Sequence, residues 1–194
     1  MRKILMSIKP RWCCLIINDL KFYEVRKTAP RVWVDYLNGK TTDYPDPIEV
    51  LIYATKDGHL VRYKSPVYPY DLQYLDVKRP NRDQLDYLEA EFVEGKIVAK
   101  FTLYKVDEYI NGHNVEYMRH NASTCQDFQA ILKRACLTED ELFDYCEDLH
   151  FYVWEIGDLE VFDKPRPLSD FNIKIRDNVY RKRKAPQSWC YVEN

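Results

Sequence analysis

Lys21-Phe22-Tyr23-Glu24-Val25-Arg26-Lys27 alternates aromatic or apolar residues with charged ones, the period-two pattern of a half-buried strand. Phe22, Glu24 and Arg26 are expected on one face and Tyr23 and Val25 on the other, so an acid and a base share a surface just after Lys21. The stretch is approached from Ile4-Leu5-Met6-Ser7-Ile8-Lys9-Pro10. Lys3 to Ile8 reads as a short strand, and Pro10 fits a first helical position, where its missing N–H costs nothing. Trp12, Leu15 and Ile16 fall at helical spacing, which predicts a helix from about Arg11 to Asn18 ending at the polar Asn18-Asp19 pair. The order is strand, helix, turn, strand.

Further along, Ile48 to Thr55 is rich in β-branched residues and predicts a central strand after the turn at Tyr44-Pro45-Asp46-Pro47. Gly58 to about Arg82 carries prolines and tyrosines with little periodicity and reads as an insertion. A second β region spans Ala90 to Ile110, with a turn at Glu94-Gly95 and a strand from Lys96 to Tyr104. Two helices follow, both expected to face the core. One carries Phe128, Ile131, Leu132 and Ala135 behind a weak cap at Ser123 and Gln126, and the other runs through Leu142 and Tyr145 behind a capping box of Thr138 and Glu141. Phe151 to Ile156 and Glu160 to Phe162 return to strand, Pro165 and Pro167 break regularity, and Gln187 to Val192 forms a last strand. Without regular βα alternation, this is an α+β or small-barrel pattern.

At 194 residues, 46% of them hydrophobic, the chain supports one domain with a core, 1–194, with insertions at about 58–90 and 111–149. A membrane helix needs roughly 20 consecutive apolar residues, and runs such as Cys13-Cys14-Leu15-Ile16-Ile17 are far shorter. Lys9, Pro10 and Arg11 interrupt the stretch a signal peptide would keep apolar. No membrane partner and a cytoplasmic location are therefore expected. The six cysteines include no CxxC pair and the four histidines are unclustered, so no metal site and no cofactor are expected. Buried apolar thiols are the simpler reading. A net charge of −2 argues against a surface given over wholly to nucleic acid. The charge is uneven, however: Lys174, Arg176, Arg181, Lys182, Arg183 and Lys184 crowd a short C-terminal stretch.

The two opening motifs together resemble the ASCH family of the PUA-like superfamily, whose pattern is a strand ending in Ser-Ile-Lys-Pro, a short helix, a turn, then Lys-x-x-Glu-x-Arg. Ile52-Tyr53-Ala54-Thr55 and Gly95-Lys96-Ile97-Val98-Ala99 are similar to its later barrel strands. Lys164-Pro165-Arg166-Pro167-Leu168-Ser169-Asp170-Phe171 and Ala185-Pro186-Gln187-Ser188-Trp189 resemble the tail of a phage- and Firmicutes-associated, prophage-type branch. The resemblance implies an α+β, PUA-like mixed β-barrel with short helices and two insertions, and a cleft for RNA or a modified nucleotide. One bacterial branch hydrolyses acetylated cytidine with a Lys, a Thr nucleophile three residues later and a Glu from elsewhere. Lys21 matches that Lys, but Glu24 holds the Thr position, and a carboxylate does not replace an activated hydroxyl in amide hydrolysis.

As chemistry, Lys21 offers a movable point charge and Arg26 a planar fork for a phosphate or carbonyl, while Glu24 can accept from a base amino group. The bland alternative is a Glu24–Arg26 ion pair closing a strand face. Ser7 and Lys9 sit where a strand feeds a helix and are candidates for holding an anion. Tyr53 and Trp189, beside Thr55 and Ser188, are candidates for base stacking. Trp12 and Trp154 are expected in the core, and Tyr152 is a further aromatic candidate. Arg181, Lys182 and Arg183 form a possible phosphate-tracking edge. The leading reading is an RNA or modified-nucleotide binding module. One alternative is a hydrolase, nuclease or amidohydrolase-like, with Glu24 as general base beside Lys21. The other is a phage-related regulatory domain that binds a protein.

Overall fold

The computed structural model describes residues 1–56, 62–63, 88–89, 95–110, 122–147, 150–175 and 178–193. Chain contacts divide it into two compact units, Met1–Asp19 with Ile48–Thr102 and Asp158–Asn194, and Leu20–Pro47 with Leu103–Gly157.

In the first unit β1 (Arg2–Ile8) leads into α1 (Pro10–Ile17), and β3 (Ile48–Ala54) lies parallel beside β1, with Lys3 opposite Glu49 and Ser7 opposite Tyr53. A parallel pair cannot be joined by a tight turn. The chain between them accordingly makes β2 (Tyr23–Arg26) and α2 (Arg31–Leu37) in the second unit before returning. The sheet is completed by β6 (Lys96–Leu103), β9 (Gly157–Arg166) and β12 (Trp189–Val192), in the order β12-β1-β3-β6-β9. β1 and β3 are interior strands buried on both faces, which is why Ile4-Leu5-Met6 and Val50-Leu51-Ile52 read as continuous apolar runs. On one face Leu5, Leu51, Tyr53, Ile97, Phe171 and Val192 make a single cluster.

Two further short pairs are separate from this sheet: β4 (Arg62–Tyr63) with β5 (Leu88–Glu89), and β10 (Asn172–Ile175) with β11 (Asn178–Arg181). β9 runs through Pro165 instead of breaking there. It is an edge strand of its sheet, where a residue without an N–H removes no ladder bond that the sheet needs.

In the second unit β2 pairs antiparallel with β8 (His150–Glu155), which pairs with β7 (Val106–Ile110). The helices α3 (Ala122–Ala135) and α4 (Glu139–Tyr145) bury Phe128, Ile131, Leu132, Ala135 and Leu142 against Val25, Phe151 and Val153. The predicted capping box is present: the Glu141 amide donates to the Thr138 hydroxyl and the Thr138 amide to the Glu141 carboxylate. α2, which the sequence reading left out, buries Trp33 edge-on to Tyr36 and Tyr44.

The mixed α+β class is as expected, but among the described residues the five- and three-stranded sheets are open and their strands do not close into a barrel. The expected insertion at 58–90 lies outside the described residues except for β4 and β5. Of the insertion at 111–149, residues 111–121 and 148–149 lie outside them, and the rest is α3 and α4. Cys13, Cys14 and Cys146 are buried thiols outside any disulfide, and no cluster of metal-ligating side chains occurs among the described residues. No helix among them is long and apolar enough to cross a membrane.

Candidate functional site

The alternation of β2 is realised in the second unit. Val25 enters the core under α3 and α4, while Glu24 and Arg26 occupy the opposite sheet face beside their cross-strand partners Trp154 and Tyr152. Lys21 precedes the strand and folds back onto them. Its Nζ lies 3.4 Å from Glu24 Oε2, and Arg26 Nη2 lies 2.9 Å from Glu24 Oε1. All three side chains are buried, at 3%, 6% and 7% exposure for Lys21, Glu24 and Arg26. The Lys21 ammonium also donates to the carbonyl of Ala135, 2.6 Å away, the last residue of α3. A helix C-terminus carries unsatisfied carbonyls and partial negative charge, so this contact partly offsets the second cation. Burial lowers the Lys21 pKa from its ordinary value, with Glu24 opposing the shift.

Two exposed side chains border the triad. Tyr145, the last residue of α4, was expected to face the core but is 38% exposed. Its hydroxyl is held above its ordinary pKa by burial, and it senses the charges of Arg26 and Glu24. Lys27 places its ammonium 5.4 Å from the Tyr145 ring centre. At a helix terminus the 3.6-residue period stops dictating burial, which is why spacing from Leu142 misassigns Tyr145. Further along the same sheet face, Glu108 accepts a hydrogen bond from the Tyr152 hydroxyl at 2.8 Å, and His150 Nε2 lies 2.8 Å from the same carboxylate oxygen. Burial and this acid push the Tyr152 pKa up to about 12. Sequence separation hid the cluster; only the register of β7 on β8, which sets Glu108 opposite Tyr152, brings it together.

The other predicted residues lie in the first unit. Ser7 is buried, its hydroxyl donating to the Pro186 carbonyl at 2.7 Å and its amide to the Ser188 carbonyl at 2.8 Å, so it tethers the C-terminal segment to β1. Lys9 is exposed at the N-cap of α1, and Thr55 is half-buried, its amide bonded to the Ile8 carbonyl. Tyr53, expected as a stacking surface, is 5% exposed and packs in the core, because β3 is covered on both sides. Trp189 is half-buried and meets Tyr191 edge-on at 5.8 Å. Arg181 and Arg183 are exposed and Lys182 is half-buried. Trp154 is in the core as expected. Trp12 is not: the rest of α1 turns its cysteines and aliphatics inward, leaving Trp12 half-buried with the Arg11 guanidinium 4.4 Å from its ring.

The sequence matches no family model and no curated protein. Among solved structures, this chain is similar to the ASCH protein of Zymomonas mobilis, with a TM-score of 0.53 at 14% identity over 98% of this chain and 87% of that one. A point variant of the same protein gives a TM-score of 0.53 at 15% identity, covering 100% of this chain and 91% of that one. The chain has the ASCH fold. The likeness at this identity is one of architecture. Within this mixed α+β ASCH fold, the chemistry of the site rests on the side chains described above.

Proposed function

We propose that the chain is an RNA or modified-nucleotide binding module, and that Lys21, Glu24 and Arg26 form the centre of its binding site. One observation carries this reading. Two cations and a carboxylate meet at 2.9 and 3.4 Å in a nearly dry setting, which concentrates charged donors and an acceptor at one place on the strand. A phosphate, or the polarised carbonyl of a base, is the partner that such donors suit, and Arg26 is the better fork for either. Tyr145 gives a base an exposed ring beside the charges, and Lys27 gives the strand a backbone contact. In the first unit, taken by itself, Lys9, Arg181, Lys182 and Arg183 are proposed as phosphate contacts, with the half-buried Ser188 and Trp189 as contributors. This keeps the chain as one ASCH domain of the phage- and Firmicutes-associated branch, working in the cytoplasm.

The test is fluorescence anisotropy with short single-stranded RNA, duplex RNA and DNA at two salt concentrations, together with calorimetry on modified nucleosides. Binding that weakens with salt is expected. Tyr145→Ala, at an exposed position, should weaken it about tenfold, as loss of one stacked base does. An incoming anion also favours the Lys21 ammonium, so alkaline binding should be accompanied by proton uptake, visible as a dependence of the heat on the buffer. Binding that ignores Tyr145→Ala, Lys27→Ala and Arg26→Lys alike overturns the reading. Turnover of RNA or acetylated cytidine that is lost in Glu24→Gln replaces it with the hydrolase.

A further inference from the structure

The first unit contains a cavity of about 540 Å³ that no residue of the proposed site lines. Its size is that of a small-molecule site, a few hundred to about 1,000 Å³. One wall is a row of alternating charges on four consecutive strands. Lys3 of β1 lies 3.3 Å from Glu49 of β3, Lys100 of β6 lies 3.7 Å from Glu49, and Glu160 of β9 lies 2.9 Å from Lys100. Leu51 and Phe171 supply apolar surface at its base. At the end of β9, the strand that also carries Glu160, the Arg166 guanidinium lies 4.5 Å from the centre of the buried Phe171 ring, and Asp170 holds its Nε at 3.4 Å. Arg166 is therefore a cation fixed in position by a ring behind it and an acid beside it, with its side chain 45% exposed where it lines the cavity. Guanidinium planes held in this way are platforms on which nucleobases stack. Lys164, two residues earlier on the same strand and exposed, is a point charge for a phosphate.

We infer that this cavity binds a nucleoside monophosphate whose base carries an exocyclic amino group. The base stacks on Arg166, its amino group donates to the carboxylates of Glu160 and Glu49, and the phosphate is held by Lys164. The carboxylates make the wall an acceptor of hydrogen bonds, which favours adenine or cytosine over uracil. The inference does not rest on the Lys21 site, which is built from residues of the other unit.

Calorimetry on the full chain with AMP, UMP, adenosine and inorganic phosphate tests it. AMP should bind, with UMP and adenosine each at least about fivefold weaker, and phosphate alone giving no saturable heat. Arg166→Ala should weaken AMP about tenfold, and Arg166→Lys should weaken it nearly as much, because charge survives but the stacking plane does not. Arg166 is exposed, so both variants should unfold at the wild-type temperature. Tyr145→Ala should leave AMP binding unchanged, so that failure here and failure of the Lys21 reading are told apart. No AMP binding, AMP binding untouched by Arg166→Ala, UMP equal to AMP, or phosphate equal to AMP would each overturn it.

Discussion

Two charged clusters of similar composition sit in the two units and differ chiefly in water. Lys21, Glu24 and Arg26 make contacts of 2.9 and 3.4 Å with side chains 2–9% exposed, whereas the Lys3, Glu49, Lys100 and Glu160 row makes contacts of 2.9 to 3.7 Å with side chains 16–59% exposed. Geometry alone would rank them alike. In the row, water screens each charge, so a lost partner is replaced by solvent and each pair contributes about 0.2–1 kcal/mol. In the triad little solvent reaches the place of a lost partner, and removing the carboxylate takes a close contact from both cations at once. The dry cluster therefore depends on its geometry in a way that the wet one does not.

The largest effect should follow from Glu24→Gln, which keeps the shape but removes the carboxylate charge that Lys21 and Arg26 both contact. A loss of about 3 kcal/mol is expected in urea unfolding. Thr138→Ala sets the scale for a local defect in the same unit: it removes the hydroxyl that accepts from the Glu141 amide, touches no charge of the triad, and should cost about 1 kcal/mol. If Glu24→Gln costs no more than Thr138→Ala, the contrast between dry and wet clusters fails. Lys100→Met, in the row, should cost less than about 1 kcal/mol, and that small loss should shrink further in high salt.

The triad was legible in the sequence because it is local: Lys21, Glu24 and Arg26 lie within one turn and one strand, and alternation alone puts the last two on one face. Its degree of burial was not legible, because that depends on α3 delivering the Ala135 carbonyl from 114 residues away. The row shows the opposite case. Lys3, Glu49, Lys100 and Glu160 are each unremarkable in sequence, and only the strand order β1-β3-β6-β9 makes neighbours of them. Tyr53 illustrates a third limit. Its neighbour Thr55 suggested a cleft, but the residues that cover it, Phe171 and Val192, arrive from the far end of the chain. α2 was missed because Val32, Trp33, Val34 and Tyr36 are residue types that favour strands, and what makes them helical is the burial of Trp33 against Tyr44.

The finest distinction between the clusters is the sign of their pH response. Burial holds the Lys21 pKa below its ordinary 10.5, so the folded chain binds that proton less tightly than the unfolded chain does. Its contribution to stability is therefore least while the ammonium is charged in both states, and grows as the pH rises from the lowered folded value to 10.5. Lys100 is shifted upward, first by its hydrogen bond to Glu160. Its contribution is complete below 10.5 and is lost as the pH climbs through the raised folded value. Urea unfolding of the wild type, Lys21→Met and Lys100→Met from neutral to alkaline pH reads both slopes. The advantage of the wild type over Lys21→Met should rise towards 10.5, while its advantage over Lys100→Met should stay level and then fall above that pH. Slopes of the same sign would mean that desolvation does not dominate at Lys21. The triad would then be an ordinary ion-pair network that responds to pH as the wet row does.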